Sequence, residues 1–413
     1  MGSRRGASWW RGAARPFQRR PVVSALVLAA VIAAGLTGLG LSHRLPQATL
    51  PAPRTVGTVP VTVPLTSTAF SFPAGYGLPH DLVADQAGAG VWFPAESAGE
   101  VRLFHWDATS GALTSLLLLS SPTVATTFYL GEGSVFAMQG RWAVVGTSTP
   151  AAGAAPILLD ADTVSGTVQT LSLPDPGTGT MAAGADPHTV QAAAIAADGR
   201  VAYALTAESG VGIWNPASGT YSSIPVPGGG DADDLAFAPD GTLVMAVDGN
   251  GFGAPDEVAI ATTGGTATLL GGVGGGLLSP DADGVLVRTS SGVRQVFPSG
   301  AVTAPSVAAP GTVYADDPVV ETASGRYVVA TDTGVDIEGT TTERFRLPTS
   351  VQTCGFSYFP PAGNVLGWTP PPASASCTFP GFPISLGADA ADNIWIIASG
   401  DNQDMQLIPA RAY

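Results

Sequence analysis

Lysine is missing from this 413-residue chain, so all 17 of its basic residues are arginine. Seven of those arginines lie within residues 1–44, where Asp and Glu are also missing. Residues 45–413 therefore hold 10 arginines against 32 acidic residues, a net charge of −22. A body this acidic repels nucleic acid and anionic membrane surfaces, which argues against a nucleic-acid-binding function. It attracts cations and basic partners, unless the charge serves solubility alone.

Histidine is nearly as scarce, and the four copies are His43, His80, His105 and His188. The motifs Gly-x-Ser-x-Gly, His-Glu-x-x-His and Cys-x-x-Cys are missing, as is a phosphate-binding loop. These absences remove the usual sequence signatures of serine hydrolases, zinc proteases, redox proteins and nucleotide-binding proteins. His105 stands beside Trp106 in a β-prone run, where we expect a structural role.

Charge is missing altogether from residues 21–41, a run of 21 residues. As a helix, this run is long enough to cross the ~30 Å hydrocarbon core of a bilayer. Six arginines precede it, so the positive-inside rule predicts a cytoplasmic tail at residues 1–20 and residues 42–413 outside. A cleaved signal peptide is the alternative, but its apolar region would span only ~7–15 residues before an Ala-x-Ala-like site. We therefore predict a single-pass protein of the cell membrane, and the Ala-, Gly- and Arg-rich composition suggests a high-GC bacterium.

Cysteine occurs only twice, as Cys354 and Cys377, in a long insertion before the last repeat described below. In an oxidising exterior, two nearby thiols favour a disulfide. Free or metal-binding thiols are the alternative, although two cysteines alone cannot complete a zinc site. The sequence thus predicts a bond between these two residues.

Proline, by contrast, is dense in residues 42–65, which directly follow the apolar run. Such a segment favours an extended, semi-rigid chain. We interpret it as a linker that holds the remaining residues, 66–413, clear of the membrane. Its prolines are Pro46, Pro51, Pro53, Pro60 and Pro64.

A short pattern recurs seven times across residues 66–413: an apolar stretch, a Gly- or Asp-rich turn and a β-prone run. It is clearest at residues 235–247, because Asp240-Gly241 between apolar runs is a strong hairpin signal. A β unit that repeats every ~40–50 residues is typical of a propeller blade. The turn residues, spaced by 50, 59, 42, 43, 41 and 68 positions, are Gly90, Gly140, Gly199, Gly241, Gly284, Gly325 and Asn393.

The last repeat has only three predicted strands, at residues 384–388, 394–399 and 405–408. A fourth is supplied by the orphan strand at residues 67–72, since it is followed by a proline, as the fourth strands of two other repeats are. This pairing closes the ring without an open sheet edge. The predicted fold is all-β: a seven-bladed β-propeller closed by an N-terminal strand and preceded by one transmembrane helix.

Three stretches carry a family resemblance: residues 391–395 (Ala-Asp-Asn-Ile-Trp), residues 90–93 (Gly-Val-Trp-Phe) and residues 238–241 (Ala-Pro-Asp-Gly). They resemble the repeat of streptogramin lyase-like (virginiamycin B lyase-like) seven-bladed propellers, and NHL, YVTN and WD40 propellers look similar. The resemblance implies the propeller fold over about residues 66–413. It also implies a lyase that uses His and Glu of its C-terminal half with magnesium, whereas this chain has no histidine after His188.

The channel mouth, the end of a propeller ring at which the inner strands begin, is the predicted site. Residues directly before the inner strands should meet there, and five of the seven blades offer a carboxylate or an imidazole. Such a group suits calcium or another divalent cation, or a cationic ligand. The alternative is that the Asp residues accept hydrogen bonds from loop amides. The candidates are His80, Asp81, Glu132, His188, Asp233, Asp234, Asp316 and Asp317.

Asp160 and Asp162 resemble a catalytic carboxylate pair, but their place beside a turn between outer strands favours a structural role. The sequence as a whole predicts a monomeric, non-catalytic module that binds a protein or a cell-envelope ligand, with no cofactor unless the mouth holds a divalent cation. The alternatives are a streptogramin lyase-like or other lyase or hydrolase acting at the channel mouth, and a purely structural envelope component.

Overall fold

The computed structural model is built almost entirely from β-strands. All described residues belong to one compact unit, Pro60–Tyr413. Among them, no helix is long and apolar enough to cross a bilayer, and the predicted membrane segment at residues 21–41 lies outside them. The described residues are 61–64, 75–76, 79, 81–121, 130, 135–146, 157–173, 190–206, 208–247, 257–262, 265–289, 292–303, 318–331, 334–338, 343–346, 349–353, 376–380, 383–398 and 405–408.

These residues form 29 strands and one short 3-10 turn, Pro227–Gly229. The strands in chain order are β1 (Val61–Pro64), β2 (Val83–Ala84), β3 (Gly90–Glu96), β4 (Glu100–Asp107), β5 (Ala112–Ser120), β6 (Val135–Gln139), β7 (Trp142–Gly146), β8 (Ile157–Asp162), β9 (Thr167–Ser172), β10 (Val190–Ile195), β11 (Val201–Leu205), β12 (Gly210–Asn215), β13 (Thr220–Pro225), β14 (Ala232–Phe237), β15 (Leu243–Val247), β16 (Glu257–Ala261), β17 (Ala267–Gly274), β18 (Leu278–Pro280), β19 (Val285–Thr289), β20 (Gly292–Val296), β21 (Val319–Glu321), β22 (Tyr327–Thr331), β23 (Gly334–Glu338), β24 (Glu343–Arg346), β25 (Thr349–Thr353), β26 (Ser376–Pro380), β27 (Pro383–Ala388), β28 (Ile394–Ala398) and β29 (Met405–Ile408).

Six consecutive sheets repeat one plan of four antiparallel segments, and we number them as blades. Blades one to four are β2–β5, β6–β9, β10–β13 and β14–β17. Blade five is β18–β20, and among the described residues its fourth segment is represented by a single bridge between Val296 and Val302. Blade six is β21–β24. We call the first two strands of a blade its inner hairpin and the last two its outer hairpin.

A C-terminal sheet of three strands, β27–β29, follows blade six. The structure thus shows a six-bladed arrangement, and the expected count of seven four-stranded blades is not confirmed. The reason is the fourth strand of the last repeat, since residues 67–72 lie outside the described residues.

The C-terminal sheet contacts blade one on one side and blade six on the other. The Ala390 amide donates a hydrogen bond of 3.0 Å to the Asp85 carbonyl of blade one, and Trp395 meets Trp106 edge-on, with ring centroids 5.0 Å apart. On the other side, the Ser324 amide of blade six donates to the Asp392 carboxylate at 3.1 Å. The first and last described sheets therefore lie next to each other, as a closed ring requires.

Strand β1 lies where the sequence predicted only a linker. It pairs in parallel with β24, so that Val61 faces Glu343 and Pro64 faces Arg346. This adds a fifth strand to the outer edge of blade six. Backbone pairing explains the difference, because an exposed outer edge offers unpaired N–H and C=O groups to any extended chain nearby.

The insertion before the C-terminal sheet contains the hairpin β25–β26, in which Gln352 faces Cys377. Cys354 lies outside the described residues. The disulfide between the two cysteines stays a prediction.

The core lies between neighbouring blades. Val144, Leu158 and Leu171 of blade two pack with Ile195 and Tyr203 of blade three. Successive strand residues point to opposite faces of a sheet, so each blade presents one apolar face to the blade before it and another to the blade after it. This stacking fixes where the ends of the strands lie, and with them the candidate sites.

Candidate functional site

Three of the eight residues predicted at the channel mouth are described: Asp81, Asp233 and Asp234. Asp233 and Asp234 lie at the start of β14, and Asp81 lies two residues before β2. A binding role for these three at the channel mouth stays a prediction. The other five, which fall outside the described residues, are His80, Glu132, His188, Asp316 and Asp317.

Asp81 joins blade one to the C-terminal sheet. Its Oδ1 accepts hydrogen bonds from the Leu82 amide at 2.8 Å and from the Ser385 hydroxyl at 2.6 Å. The Leu82 amide also lies 3.2 Å from the same hydroxyl oxygen. Because Ser385 belongs to β27, this carboxylate bridges the first and last inner strands of the described ring.

Asp234 makes a similar bridge between blades four and five. Its Oδ1 accepts a hydrogen bond from the Leu235 amide, and its Oδ2 accepts one from the Leu278 amide, both at 2.8 Å. Asp233 is exposed, and its carboxylate accepts a hydrogen bond from the Gln191 side chain of blade three. These carboxylates thus accept hydrogen bonds from backbone and side-chain donors of adjacent inner strands.

A divalent cation at the mouth remains a prediction. Among the described residues, no three His, Cys, Asp or Glu side chains are arranged so that they could hold a metal ion. Asp81 and Asp234 already use carboxylate oxygens as acceptors within the fold.

A second acidic group lies at the opposite end of the strands, which we call the turn face. Glu321 ends β21 in blade six, and Asp281 and Asp283 follow β18 in blade five. A hydrogen bond shared with Asp281, together with burial and the nearby negative charges, raises the pKa of Glu321 to about 7. Protonation of Glu321 therefore lowers the repulsion between blades five and six.

His105 lies on β4, the third strand of blade one, in agreement with the expected position. Its ring stacks on Trp92, with centroids 4.2 Å apart, and its Nε2 lies 3.1 Å from the Asp85 carboxylate. Trp92 and Asp85 fix the ring on both sides, which fits the predicted structural role.

Asp160 and Asp162 end β8, beside the turn of the outer hairpin in blade two, where the sequence placed them. Asp162 accepts hydrogen bonds from the amides of Val164 and Ser165 and pairs with the Arg141 guanidinium. Asp160 accepts a hydrogen bond of 2.6 Å from the Gln169 side chain. Both carboxylates therefore have structural partners.

The pKa values of the two carboxyl groups shift in opposite directions because their hydrogen bonds differ. Burial raises the pKa of Asp160, and the bond from Gln169 offsets only part of the rise. Burial also acts to raise the pKa of Asp162, but hydrogen bonds from Ser165, Val164 and Arg141 outweigh it, so this pKa lies below its ordinary value. The pKa is thus raised for Asp160 and lowered for Asp162, although only one residue separates them.

A cleft of about 200 Å³ opens at the turn face between blades three and four. Arg200, which follows the turn of the inner hairpin in blade three, supplies its positive charge, and Phe237 at the end of β14 supplies an aromatic wall. Hydroxyl, amide and aliphatic side chains line the rest of the cleft. The remaining lining residues are Ile213, Asn215, Thr220, Ser222, Ile224, Gly241, Leu243, Ala261, Thr262 and Gly265.

Sequence reasoning missed this cleft. One signal was present: the outer hairpins of blades two and three share the pattern Ser-Gly-Thr, at residues 165–167 and 218–220, and the position before each turn changes from Asp162 to Asn215. That change replaces a carboxylate that lies beside an arginine with a neutral amide. Which residues of blade four face the gap could not be read from this pattern.

No known protein-family profile matches the chain, and no curated protein sequence matches it. Solved structures resemble it in fold. A streptogramin B lyase has a TM-score of 0.52 at 11% identity, covering 83% of this chain and 96% of the lyase. A catalytically inactive virginiamycin B lyase from Staphylococcus aureus with quinupristin has a TM-score of 0.52 at 12% identity, covering 84% and 98%. The WD40 repeats of RRP9 have a TM-score of 0.49 at 12% identity, covering 83% and 96%. At these identities, the likeness to the two lyases shows a shared propeller fold and nothing more.

Proposed function

We propose that the chain is a membrane-anchored, extracytoplasmic propeller that binds a protein or a cell-envelope ligand at its channel mouth without catalysing a reaction. The observation that carries this proposal is the state of the mouth carboxylates. Asp81 and Asp234 accept hydrogen bonds that join neighbouring inner strands. Carboxylates held in this way stiffen a rim, and a rigid rim loses little conformational entropy when a partner docks.

The exposed Asp233 gives this rim a negative charge at its surface. The body of the chain carries a net charge of −22, so electrostatic attraction favours a basic or cationic partner and speeds its approach. We propose that residues 21–41 anchor the chain and that residues 42–65 carry the propeller away from the bilayer, except where β1 joins blade six. We also propose that residues 67–72 complete the C-terminal sheet as a seventh blade.

A photo-crosslinking amino acid at position 233, in the full chain in bacterial membranes, tests the proposal. We expect one discrete adduct in intact spheroplasts, and we expect external protease to digest it because residues 42–413 lie outside. The same crosslinker at Val164, which is 74% exposed on the turn face, serves as the control and should give no such adduct. Equal labelling at both positions would contradict binding at the mouth, and an adduct protected from protease would contradict the topology.

The catalytic alternative is checked on the same preparation. A cyclic depsipeptide lactone incubated with the full chain and Mg²⁺ should remain intact by mass spectrometry. Ring-opened product that depends on the protein would replace the binding proposal with a lyase.

A further inference from the structure

The cleft between blades three and four holds a guanidinium with unused donors. The Nε of Arg200 donates to the Asp198 carboxylate at 2.8 Å, and the guanidinium lies over the Phe237 ring, 5.5 Å from its centroid. No described residue accepts a hydrogen bond from the two terminal nitrogens, Nη1 and Nη2. Asp198 is 59% exposed on its side chain, so water screens its charge and leaves Arg200 only partly neutralised.

Gly241 of blade four makes room for that guanidinium. A Cβ at this position would lie 2.5 Å from the Nη2 of Arg200, closer than real contacts allow. The glycine also has φ of +86°, a backbone conformation that other residues adopt only at a cost. The turn of the neighbouring blade therefore lets the terminal nitrogens reach the cleft.

Blade two shows the same arginine position with its charge satisfied. Arg141 also follows the glycine of an inner hairpin, and its Nη2 pairs with Asp162. In blade three the matching residue before the outer turn is Asn215, whose Oδ1 accepts hydrogen bonds from the amides of Ala217 and Ser218. The amide side chain supports the turn as Asp162 does, but it brings no negative charge to Arg200.

The walls differ in the same way. In blade two, Asp160 and Gln169 face each other across the outer hairpin and are joined by a hydrogen bond. The matching pair in blade three is Ile213 and Ser222, which are shorter or apolar and leave the cleft open. The cleft thus combines a cation, an aromatic ring, small hydroxyl groups and an aliphatic wall.

We infer that this cleft binds a small carboxylate ligand that carries an aliphatic group, of about the size of an amino acid. The ligand carboxylate accepts two hydrogen bonds from Nη1 and Nη2 of Arg200, a pairing that suits the planar guanidinium. Its aliphatic group lies against Ile213, Ile224 and Leu243. The ligand is either a free small acid or the C-terminal residue of a peptide, and both present the same chemistry. The site lies at the turn face, at the far end of β14 from the Asp233 mouth, and does not depend on what the mouth binds.

Binding is measured by ligand-observed NMR on the full chain in detergent micelles. The probe is N-acetylleucine, and N-acetylleucinamide, which lacks the carboxylate, is the neutral control. We expect a Kd on the order of 1 mM for the acid, in keeping with a ligand of about a dozen heavy atoms. The amide should bind at least about 10-fold more weakly, since charged hydrogen bonds are lost.

Two matched variants locate the site. Arg200→Met keeps an apolar stem but removes the charge, and should weaken N-acetylleucine binding at least about 10-fold. Arg141→Met makes the same change at the neutralised arginine of blade two and should leave the Kd within about twofold, since Arg141 does not line the cleft. If Arg200→Met does not fold, Arg200→Lys keeps the charge but loses the planar fork, and should still weaken binding.

The proposal fails if acid and amide bind equally, if the two methionine variants lose binding equally, or if the wild-type chain shows no binding of the acid at about ten times the expected Kd. A tripeptide with a free C-terminal leucine distinguishes the sources. Tighter binding of the tripeptide than of N-acetylleucine identifies a peptide C-terminus, and equal or weaker binding identifies a free acid.

Discussion

The outer hairpins of blades two and three have closely similar turns, but they differ in the charge of the side chains that they carry. Each turn is closed by a hydrogen bond from its glycine amide, Gly166 to Asp162 at 2.8 Å and Gly219 to Asn215 at 2.9 Å. In both turns, the hydroxyl of the serine before the glycine forms a hydrogen bond with the hydroxyl of the threonine after it. In blade two, however, the arginine and the outer hairpin form polar pairs at the turn face, whereas blade three leaves an arginine facing a cleft.

The blade framework and the blade surface are set by different residues. The backbone bonds of the turn need only an oxygen acceptor at the first position, so aspartate and asparagine serve equally. The charge at that position is then free to vary without loss of the turn. A propeller can therefore neutralise one seam and equip another for binding while both hairpins keep their shape.

The largest expected effect concerns two turn glycines: Gly199, which lies against Trp142 of blade two, and Gly241, which lies against Arg200 of blade three. Gly199→Ala and Gly241→Ala should each lower the free energy of unfolding by about 1–2 kcal/mol, because both glycines have positive φ, +85° and +86°. Gly199→Ala should cost more, since its Cβ would lie 3.3 Å from the packed Trp142 ring. Chemical denaturation measures both values.

The same two variants distinguish an effect on stability from an effect on ligand binding. Only Gly241→Ala should weaken N-acetylleucine binding, because its methyl group displaces the flexible end of Arg200. If Gly199→Ala also lost N-acetylleucine binding, the effect of Gly241→Ala could not be assigned to its contact with Arg200.

A smaller effect follows from making blade three resemble blade two. Asn215→Asp keeps the acceptor for the turn amides and brings a carboxylate toward Arg200, as Asp162 does for Arg141. We expect N-acetylleucine affinity to fall about 10-fold, which corresponds to about 1.4 kcal/mol, with little change in melting temperature. Asn215→Ser, which supplies an acceptor but no charge, is the control and should retain binding. Unchanged affinity in Asn215→Asp would show that Arg200 does not contact the ligand.

The smallest expected effect is a pH dependence of the free energy of unfolding, caused by the buried carboxyl group of Asp160 in blade two. Burial raises the pKa of Asp160 in the folded chain, so folding favours the protonated form and this residue's contribution to stability is lost as the pH rises through that raised pKa. Asp160→Asn keeps an acceptor for Gln169 and removes the buried charge. It should raise the free energy of unfolding by about 1 kcal/mol at pH 7 and have little effect near pH 4, as measured by thermal melts.

Asp162→Asn should show the opposite dependence. The pKa of Asp162 is lowered in the folded chain, so its stabilising contribution is present above the unfolded value and is lost as the pH falls through the folded one. This variant should therefore be less stable than wild type at pH 7, with a gap that narrows in acid. The same sign of change in both variants at pH 7 would contradict the assignment of burial to Asp160 and hydrogen bonding to Asp162.

Much of the framework could be predicted from the sequence. The inner hairpin of blade four was expected at residues 235–247, and the structure has β14 ending at Phe237 and β15 running from Leu243 to Val247. Local signals suffice here, because an Asp-Gly turn between apolar runs determines a hairpin from nearby residues. The location of Asp81 and Asp234 near the start of inner strands followed from the same repeat.

The partners of those residues could not be predicted. Ser385, which bonds Asp81, is 304 positions away, and Leu278, which bonds Asp234, is 44 positions away. Both contacts depend on how neighbouring blades are rotated against each other. The Asp281 and Glu321 pair, and the parallel pairing of β1 with β24, have the same origin.

By itself, the sequence determined the repeat, the β class, the acidic body and the location of most turns, since each depends on residues close together in the chain. Only the tertiary structure decided which carboxylates bridge strands, which arginine is neutralised and where a cleft remains. The physical reason is that a blade buries its faces against other blades, so the chemistry of each seam belongs to two segments that the chain order does not bring together.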